Sequence, residues 1–178
     1  IKNIVKELKD FARQDTSELN QSVDINLIVK SAITLTSNLI KKSTRNFSVR
    51  YGKNLPPVTG NFQRLEQVVI NLIQNSCQSL PNETKSVFVA TDMNTETHEI
   101  VIKVIDEGIG MSPEIQSKVT DPFFTTKRDI GGTGLGLSVS SKIIDNHGGS
   151  LYFKSKPEIG TEAVITLPIM QDIEEKRK

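Results

Sequence analysis

Apolar positions along this chain change their period several times, and each change marks an element. Ile1, Ile4, Val5, Leu8, Phe11 and Ala12 recur at helical spacing, which predicts an amphipathic helix over 1–14. Such a helix buries its stripe only against something else, a second copy or a segment outside this chain. The polar stretch that follows has no periodicity and reads as a linker over 15–23. Asp24 is a suitable N-cap for a helix over 25–42. Phe47, Val49 and Tyr51 then alternate with polar residues, a strand signal, before Pro56-Pro57 breaks the chain. Asn61 caps a helix over 62–80 that Pro81-Asn82 ends. Two runs rich in β-branched residues, 87–93 and 99–105, read as strands joined by the polar turn Asn94-Thr95-Glu96-Thr97. Ser112-Pro113 opens a short helix. A further helix over 135–146 ends in the signal His147-Gly148-Gly149. Residues 150–155 and 162–167 form a last strand pair, and 171–178 is a charged tail.

Strands come mostly in adjacent pairs with helices between them. That order predicts an α+β fold, a two-layer α/β sandwich whose mixed, mostly antiparallel sheet is covered on one face by helices. It is not the strict alternation of a doubly wound parallel sheet.

One region fits no period. Eight of the eleven glycines lie between Gly108 and Gly149, six of them within 106–136. A glycine-rich stretch of this length in a compact domain is a binding loop or a lid. Composition narrows the ligand. The chain has 178 residues, 36% of them hydrophobic, enough for one core. Basic and acidic residues nearly balance, 22 against 21, which excludes a dedicated nucleic-acid binder. No apolar run is long enough to span a membrane. The single cysteine, Cys77, excludes a disulfide framework and a cysteine-based zinc site, and it reads as a small core residue.

Four blocks carry candidate chemistry. Asn71 and Asn75, four apart, share one face of a strong helix. Their amide oxygens suit Mg²⁺ or a water, although the pattern taken alone favours two solvated surface polars. Asp106-Glu-Gly108-Ile-Gly110 follows an apolar strand. A carboxylate there accepts hydrogen bonds, for example from an exocyclic amino group, and the glycines admit a flat ligand. An acidic strand-to-loop turn is the plainer reading. Gly131-Gly132-Thr133-Gly134-Leu135-Gly136-Leu137 leads into a helix, an arrangement that binds anions through backbone N–H groups, or serves as a connector. It is neither a P-loop nor a dinucleotide fingerprint. Asp121-Pro-Phe123-Phe124-Thr125-Thr126-Lys127 places an aromatic anchor and positive charge, Lys127 and Arg128, between the last two blocks.

Taken in order, these blocks resemble the ATP-binding catalytic domain of sensor histidine kinases, a branch of the GHKL superfamily, in its nitrogen-regulation and oxygen-sensing flavour. Asn71 to Asn75 is similar to the N box, Asp106 to Gly110 to the first glycine box, Asp121 to Phe124 to the F box, and Gly132 to Gly136 to the second glycine box. The resemblance covers roughly residues 20–170. It implies ATP and Mg²⁺ as cofactors. Asn75 would ligate the metal, and Asn71 would support the metal or its water. Asp106 would read the adenine amino group with help from Thr161. Gly108 and Gly110 would shape the pocket. Gly132, Thr133, Gly134, Leu135 and Gly136 would wrap the phosphates, with Thr126 and Lys127 beside them and 111–133 as an ATP lid.

The resemblance also implies partners. The γ-phosphoryl would pass to a histidine on a dimerisation hairpin, of which 1–14 would be the end, with 24–170 as the catalytic domain. A response regulator aspartate would be the next acceptor, in a homodimeric parent protein on the cytoplasmic side of the cell. ATP-hydrolysing relatives typically carry Glu where Asn71 stands. Asn accepts no proton, which favours transfer over hydrolysis. Many kinases of this family place Lys or Arg three residues after the metal Asn, and here that residue is Gln78, so Lys127 or Arg128 is expected to neutralise the phosphates. The two histidines, His98 at a hairpin turn and His147 at a helix end, are not expected to be the acceptor. The alternatives are a GHKL ATPase or protein-serine kinase, and a nucleotide-binding module without turnover.

Overall fold

In the computed structural model, residues 21–126 and 132–170 are described. The predicted helix over 1–14, most of the linker, Lys127, Arg128 and the charged tail lie outside them.

Four helices and seven strands make up the described part: β1 (Gln21–Val23), α1 (Ile25–Ser43), β2 (Asn46–Arg50), β3 (Val58–Gly60), α2 (Phe62–Ser79), β4 (Ser86–Asn94), β5 (Glu99–Asp106), α3 (Pro113–Gln116), α4 (Gly136–Asn146), β6 (Ser150–Lys156) and β7 (Gly160–Pro168). The caps lie where the sequence places them. Asp24 accepts the N–H groups of Asn26 and Leu27, and Asn61 accepts that of Arg64.

The main sheet has five strands in the order β2-β4-β5-β7-β6. Only β2 and β4 run parallel; the other pairs are antiparallel. This is the mixed, mostly antiparallel sheet of the expected α+β sandwich. Strand β5 alternates strictly between half-buried and buried positions, as a strand with one covered face must. Its buried set is Ile100, Ile102, Val104 and Asp106. The first three join Val87, Val89, Ala163, Ile165 and Leu167 beneath the helices, which contribute Ile28, Val29, Ala32, Val68, Val69, Leu72, Ile73, Val139 and Ile144. Cys77 is buried in the same core. On the opposite face Lys103 pairs with Glu162 at 2.8 Å, a polar cover over the fully buried Val164.

Two strands were not legible in the sequence. Residues 21–23 fall within the predicted linker, yet they pair antiparallel with β3, Gln21 opposite Gly60 and Val23 opposite Val58. Each has three residues, too short for a period, and each becomes a strand only because the other lies beside it. The remaining elements match their predicted positions within a few residues, the usual uncertainty at element ends. Among the described residues no helix is long and apolar enough to cross a membrane.

The interior position of β7, between β5 and β6, sets a stability prediction. Ile165 is 1% exposed and faces the helices. Ile165→Ala removes buried methylenes and leaves a cavity, so it is expected to cost about 2–5 kcal/mol in urea unfolding.

Candidate nucleotide site

The alternation of β5 delivers the first site residue. Asp106 takes the parity of Ile100, Ile102 and Val104, so its carboxylate points under the helices rather than into solvent and is 6% exposed. One oxygen, Oδ1, accepts from the Gly108 N–H at 2.9 Å and from Ser79 Oγ at 3.1 Å. Burial pushes the carboxyl above its ordinary pKa, while hydrogen bonds from Ser76, the Gly108 N–H, Ser79 and the Thr161 backbone pull it back down. The group is a buried acceptor held in one orientation.

Helix α2 delivers the amides. Its apolar side, Leu65, Val68, Val69, Leu72 and Ile73, is buried on the sheet and the neighbouring helices. Asn71 and Asn75 lie half-buried at the margin of that stripe. They are not solvated surface polars, because both line one cavity with Asp106. Asn71 Nδ2 donates to Ser140 Oγ on α4 at 2.9 Å, and Asn75 Nδ2 lies 3.4 Å from Asn71 Oδ1. The Asn75 amide therefore donates toward its neighbour, and its carbonyl oxygen is left for a ligand.

Helix α4 delivers the glycine end of the cavity. Its N-cap is Leu135, which offers no side-chain cap and is itself 1% exposed, anchoring the turn in the core. The first-turn N–H groups are thus uncapped by a side chain, and they sit at the positive end of the helix. Gly136 packs directly on the N-box amide: a Cβ there would lie 2.7 Å from Asn71 Oδ1. Gly134 has φ +71°, and a Cβ there would lie 2.5 Å from the Phe123 carbonyl carbon. The Phe123 N–H donates to the Gly134 carbonyl at 2.9 Å. This clasp joins the aromatic block to the glycine block.

The cavity measures about 390 Å³, within the range of small-molecule sites. Of the predicted residues, Asn71, Asn75, Asp106, Gly110, Thr126, Gly132, Thr133, Gly134, Gly136 and Thr161 line it. Gly108 stands just behind, against Ser79 and Asp106, and Leu135 lies beneath. Lys127 lies outside the described residues. Gly110 has φ +65°, and a Cβ there would meet the Lys156 carbonyl at 1.9 Å. The start of the expected lid is tied to edge strand β6. Ser155 Oγ accepts the Met111 N–H at 2.8 Å, and Gln116 Nε2 donates to the Phe153 carbonyl at 2.8 Å.

Sequence reasoning missed the serines and the apolar wall. Ser76 and Ser79 stand one and four residues after Asn75 on the same helix, and that spacing was the available signal. Met111, Ile115, Val119, Phe153 and Ala163 line the cavity from three separate stretches of chain, which no local pattern brings together.

Comparison with known proteins places this geometry. Residues 60–171 match the family model described as histidine kinase-, DNA gyrase B-, and HSP90-like ATPase. A putative sensor protein of Shewanella frigidimarina is 35% identical over 171 residues, 96% of this chain and 26% of that protein. Sporulation kinase E of Bacillus subtilis is 32% identical over 99% of this chain and 23% of its own length. The signal transduction histidine-protein kinase AtoS of Escherichia coli is 30% identical over 95% of this chain and 27% of its own. The chain thus spans about a quarter of the length of these relatives. Among solved structures, the catalytic domain of histidine kinase ThkA superposes with a TM-score of 0.73 at 27% identity, covering 84% of this chain and 95% of that one. ThkA in complex with the response regulator protein TrrA gives 0.78 at 25% identity, over 95% of this chain and 47% of that one. A family match over most of the chain, on a fold that gathers both amides and the strand-end carboxylate at one cavity, shows that this chain belongs to the histidine kinase-, DNA gyrase B- and HSP90-like ATPase family, as a catalytic domain of the sensor histidine kinase type.

Proposed function

We propose that this domain holds Mg·ATP in the cavity between α2, α4 and the end of β5, and presents its γ-phosphoryl to a histidine on a dimerisation helix of the same or a partner subunit. The observation that carries the proposal is the convergence of three unlike groups on one cavity: a buried carboxylate, a metal-type amide and an uncapped helix N-terminus. They match the three parts of the ligand. Asp106 accepts from the adenine amino group, with Thr161 beside it. The N–H groups around Gly132, Thr133, Gly134 and Gly136 face the phosphates. Phosphoryl transfer requires little more of a protein than placement and charge neutralisation.

Asn75 fits Mg²⁺ by the chemistry of its donor: a hard, uncharged carboxamide oxygen whose own N–H groups turn elsewhere. Among the described residues no group of three His, Cys, Asp or Glu is placed to hold a metal. A site with one protein ligand, completed by phosphates and water, suits Mg²⁺. The ion would neutralise charge on the phosphate oxygens. Lys127 directly follows the cavity-lining Thr126 and is assigned the same task at the γ-phosphate.

Asn71 favours transfer over hydrolysis. Its Nδ2 is committed to Ser140 and its Oδ1 faces Gly136 and Asn75, so it links two helices and takes no proton from water. Relay to a response regulator aspartate is supported by the ThkA–TrrA complex. The rival readings, an ATPase, a serine kinase or a silent module, are separated by one assay. Labelled-phosphate transfer to a histidine-bearing hairpin is expected, with little ADP release in its absence. Hydrolysis without transfer overturns the proposal, and so does binding with neither.

Three further outcomes are expected. Asp106→Asn offers an N–H where an acceptor is needed and weakens ATP roughly 10- to 100-fold in calorimetry, the range of a charge-assisted hydrogen bond. Burial raises the Asp106 pKa, and only the ionised carboxylate accepts without donating. ATP affinity in the unsubstituted chain therefore falls as pH drops through that raised value, and Asp106→Asn loses this dependence. Asn75→Ala keeps adenosine binding but abolishes the Mg²⁺-dependent gain in ATP affinity.

A further inference from the structure

His147 has no part in the chemistry proposed so far, yet it is not a surface histidine. It closes α4 as the C-cap residue and is 9% exposed. Its Nδ1 lies 2.7 Å from the Ile143 carbonyl, one turn back in its own helix. Its Nε2 accepts the backbone N–H of Asn61 at 3.0 Å. A carbonyl only accepts and a backbone N–H only donates, so this pair of partners selects the neutral ring with its proton on Nδ1. Asn61 is the N-cap of α2. The ring therefore joins the C-cap of one site helix to the N-cap of the other. Gly60 makes room for it, since a Cβ there would lie 2.5 Å from His147 Cδ2.

The same two helices meet a second time, where Asn71 Nδ2 donates to Ser140 Oγ. The two ties are about 15 Å apart along α2 and about 10 Å apart along α4, at 1.5 Å per residue. Apolar packing seats the two helices against each other, and a single polar tie pins that contact at one point. Two ties, far apart along both helices, select one spacing and one angle within it. The glycine loop leads α4, and Asn71 and Asn75 ride on α2, so that angle sets how far apart the two halves of a triphosphate site stand.

We infer that His147 is a positioning residue of the nucleotide site: by holding the end of α4 on the N-cap of α2, it fixes the distance from the Asn71–Asn75 face to the glycine loop. The inference rests on the nucleotide-site reading above. It also gives the site an acid limit. A proton on Nε2 would set an N–H against the Asn61 N–H and break the tie. Burial lowers the ring's pKa from the ordinary histidine value, and the Ile143 carbonyl partly restores it. The charged side chains on the elements around the ring are Arg64 and Glu66 on α2 and Lys142 and Asp145 on α4, while β3 carries none. The tie is complete above the ordinary histidine pKa and is lost as pH falls through the lowered value.

The test compares His147→Ala and His147→Gln with the unsubstituted chain. Glutamine keeps an acceptor within reach of the Asn61 N–H but does not titrate. Calorimetry is run with Mg·ATP and with adenosine over a range of pH. His147→Ala is expected to weaken Mg·ATP about tenfold, the scale of a small misplacement of binding groups, with adenosine unchanged because none of the donors to Asp106 lies on α4. His147→Gln is expected to recover most of the Mg·ATP affinity and to keep only the acid loss that Asp106 causes. Unchanged Mg·ATP affinity in His147→Ala overturns the inference, as does an equal loss of adenosine and Mg·ATP. Hydrogen exchange at the Asn61 amide keeps the two readings apart. Its protection is expected to fall in His147→Ala and return in His147→Gln whatever the chain binds, and unchanged protection refutes the tie itself. If protection behaves as expected but the unsubstituted chain binds no nucleotide, the nucleotide reading fails and the positioning role falls with it.

Discussion

The packing of α2 is the constraint on which the rest of the structure depends. This helix lies on the sheet between α1 and α4 and commits an entire stripe, Leu65 through Cys77, to the core. Once that stripe is buried, the helix has no rotational freedom left. Asn71, Asn75 and Ser79 must then stand at the margin where α2, α4 and the end of β5 leave a gap. The cavity is what remains when three apolar faces meet around polar residues that cannot fill the space between them. Several kilocalories of burial per large side chain hold the amides in place. No polar contact at the site is strong enough to do so alone.

The same logic explains why a carboxylate is tolerated inside. Asp106 occupies a core parity on β5, and its burial is costly unless its oxygens find donors. Ser76, Ser79, Gly108 and Thr161 supply them from three elements. Each of these contacts also fixes the carboxylate's direction, so the cost of burial is converted into preorganisation. Glycines serve the same end in the opposite way. Gly110, Gly134 and Gly136 stand where a Cβ would strike the Lys156 carbonyl, the Phe123 backbone or the Asn71 amide. Their small size lets neighbouring backbone close tightly around the cavity.

Much of this was legible beforehand. The caps at Asp24 and Asn61, the buried side of α2 and the β-branched runs of β4 and β5 follow from local rules, and the structure has them where the sequence placed them. The short strands β1 and β3 were not legible, because three residues carry no period and each needs its partner to be a strand. His147 shows a different limit. Its place at a helix end was plain, but its burial was not, because Gly60 and Asn61 lie 86 and more residues away along the chain.

The sequence by itself determined the order of the longer elements, the face that α2 buries and the residue types available for nucleotide chemistry. These depend on side-chain spacing and capping, which act within a few residues. The tertiary structure alone decided which of those residues share a cavity, which serines orient Asp106 and which histidine joins the two site helices. Those relations span tens of residues, and they exist only after the burial of apolar faces has set the helices against the sheet.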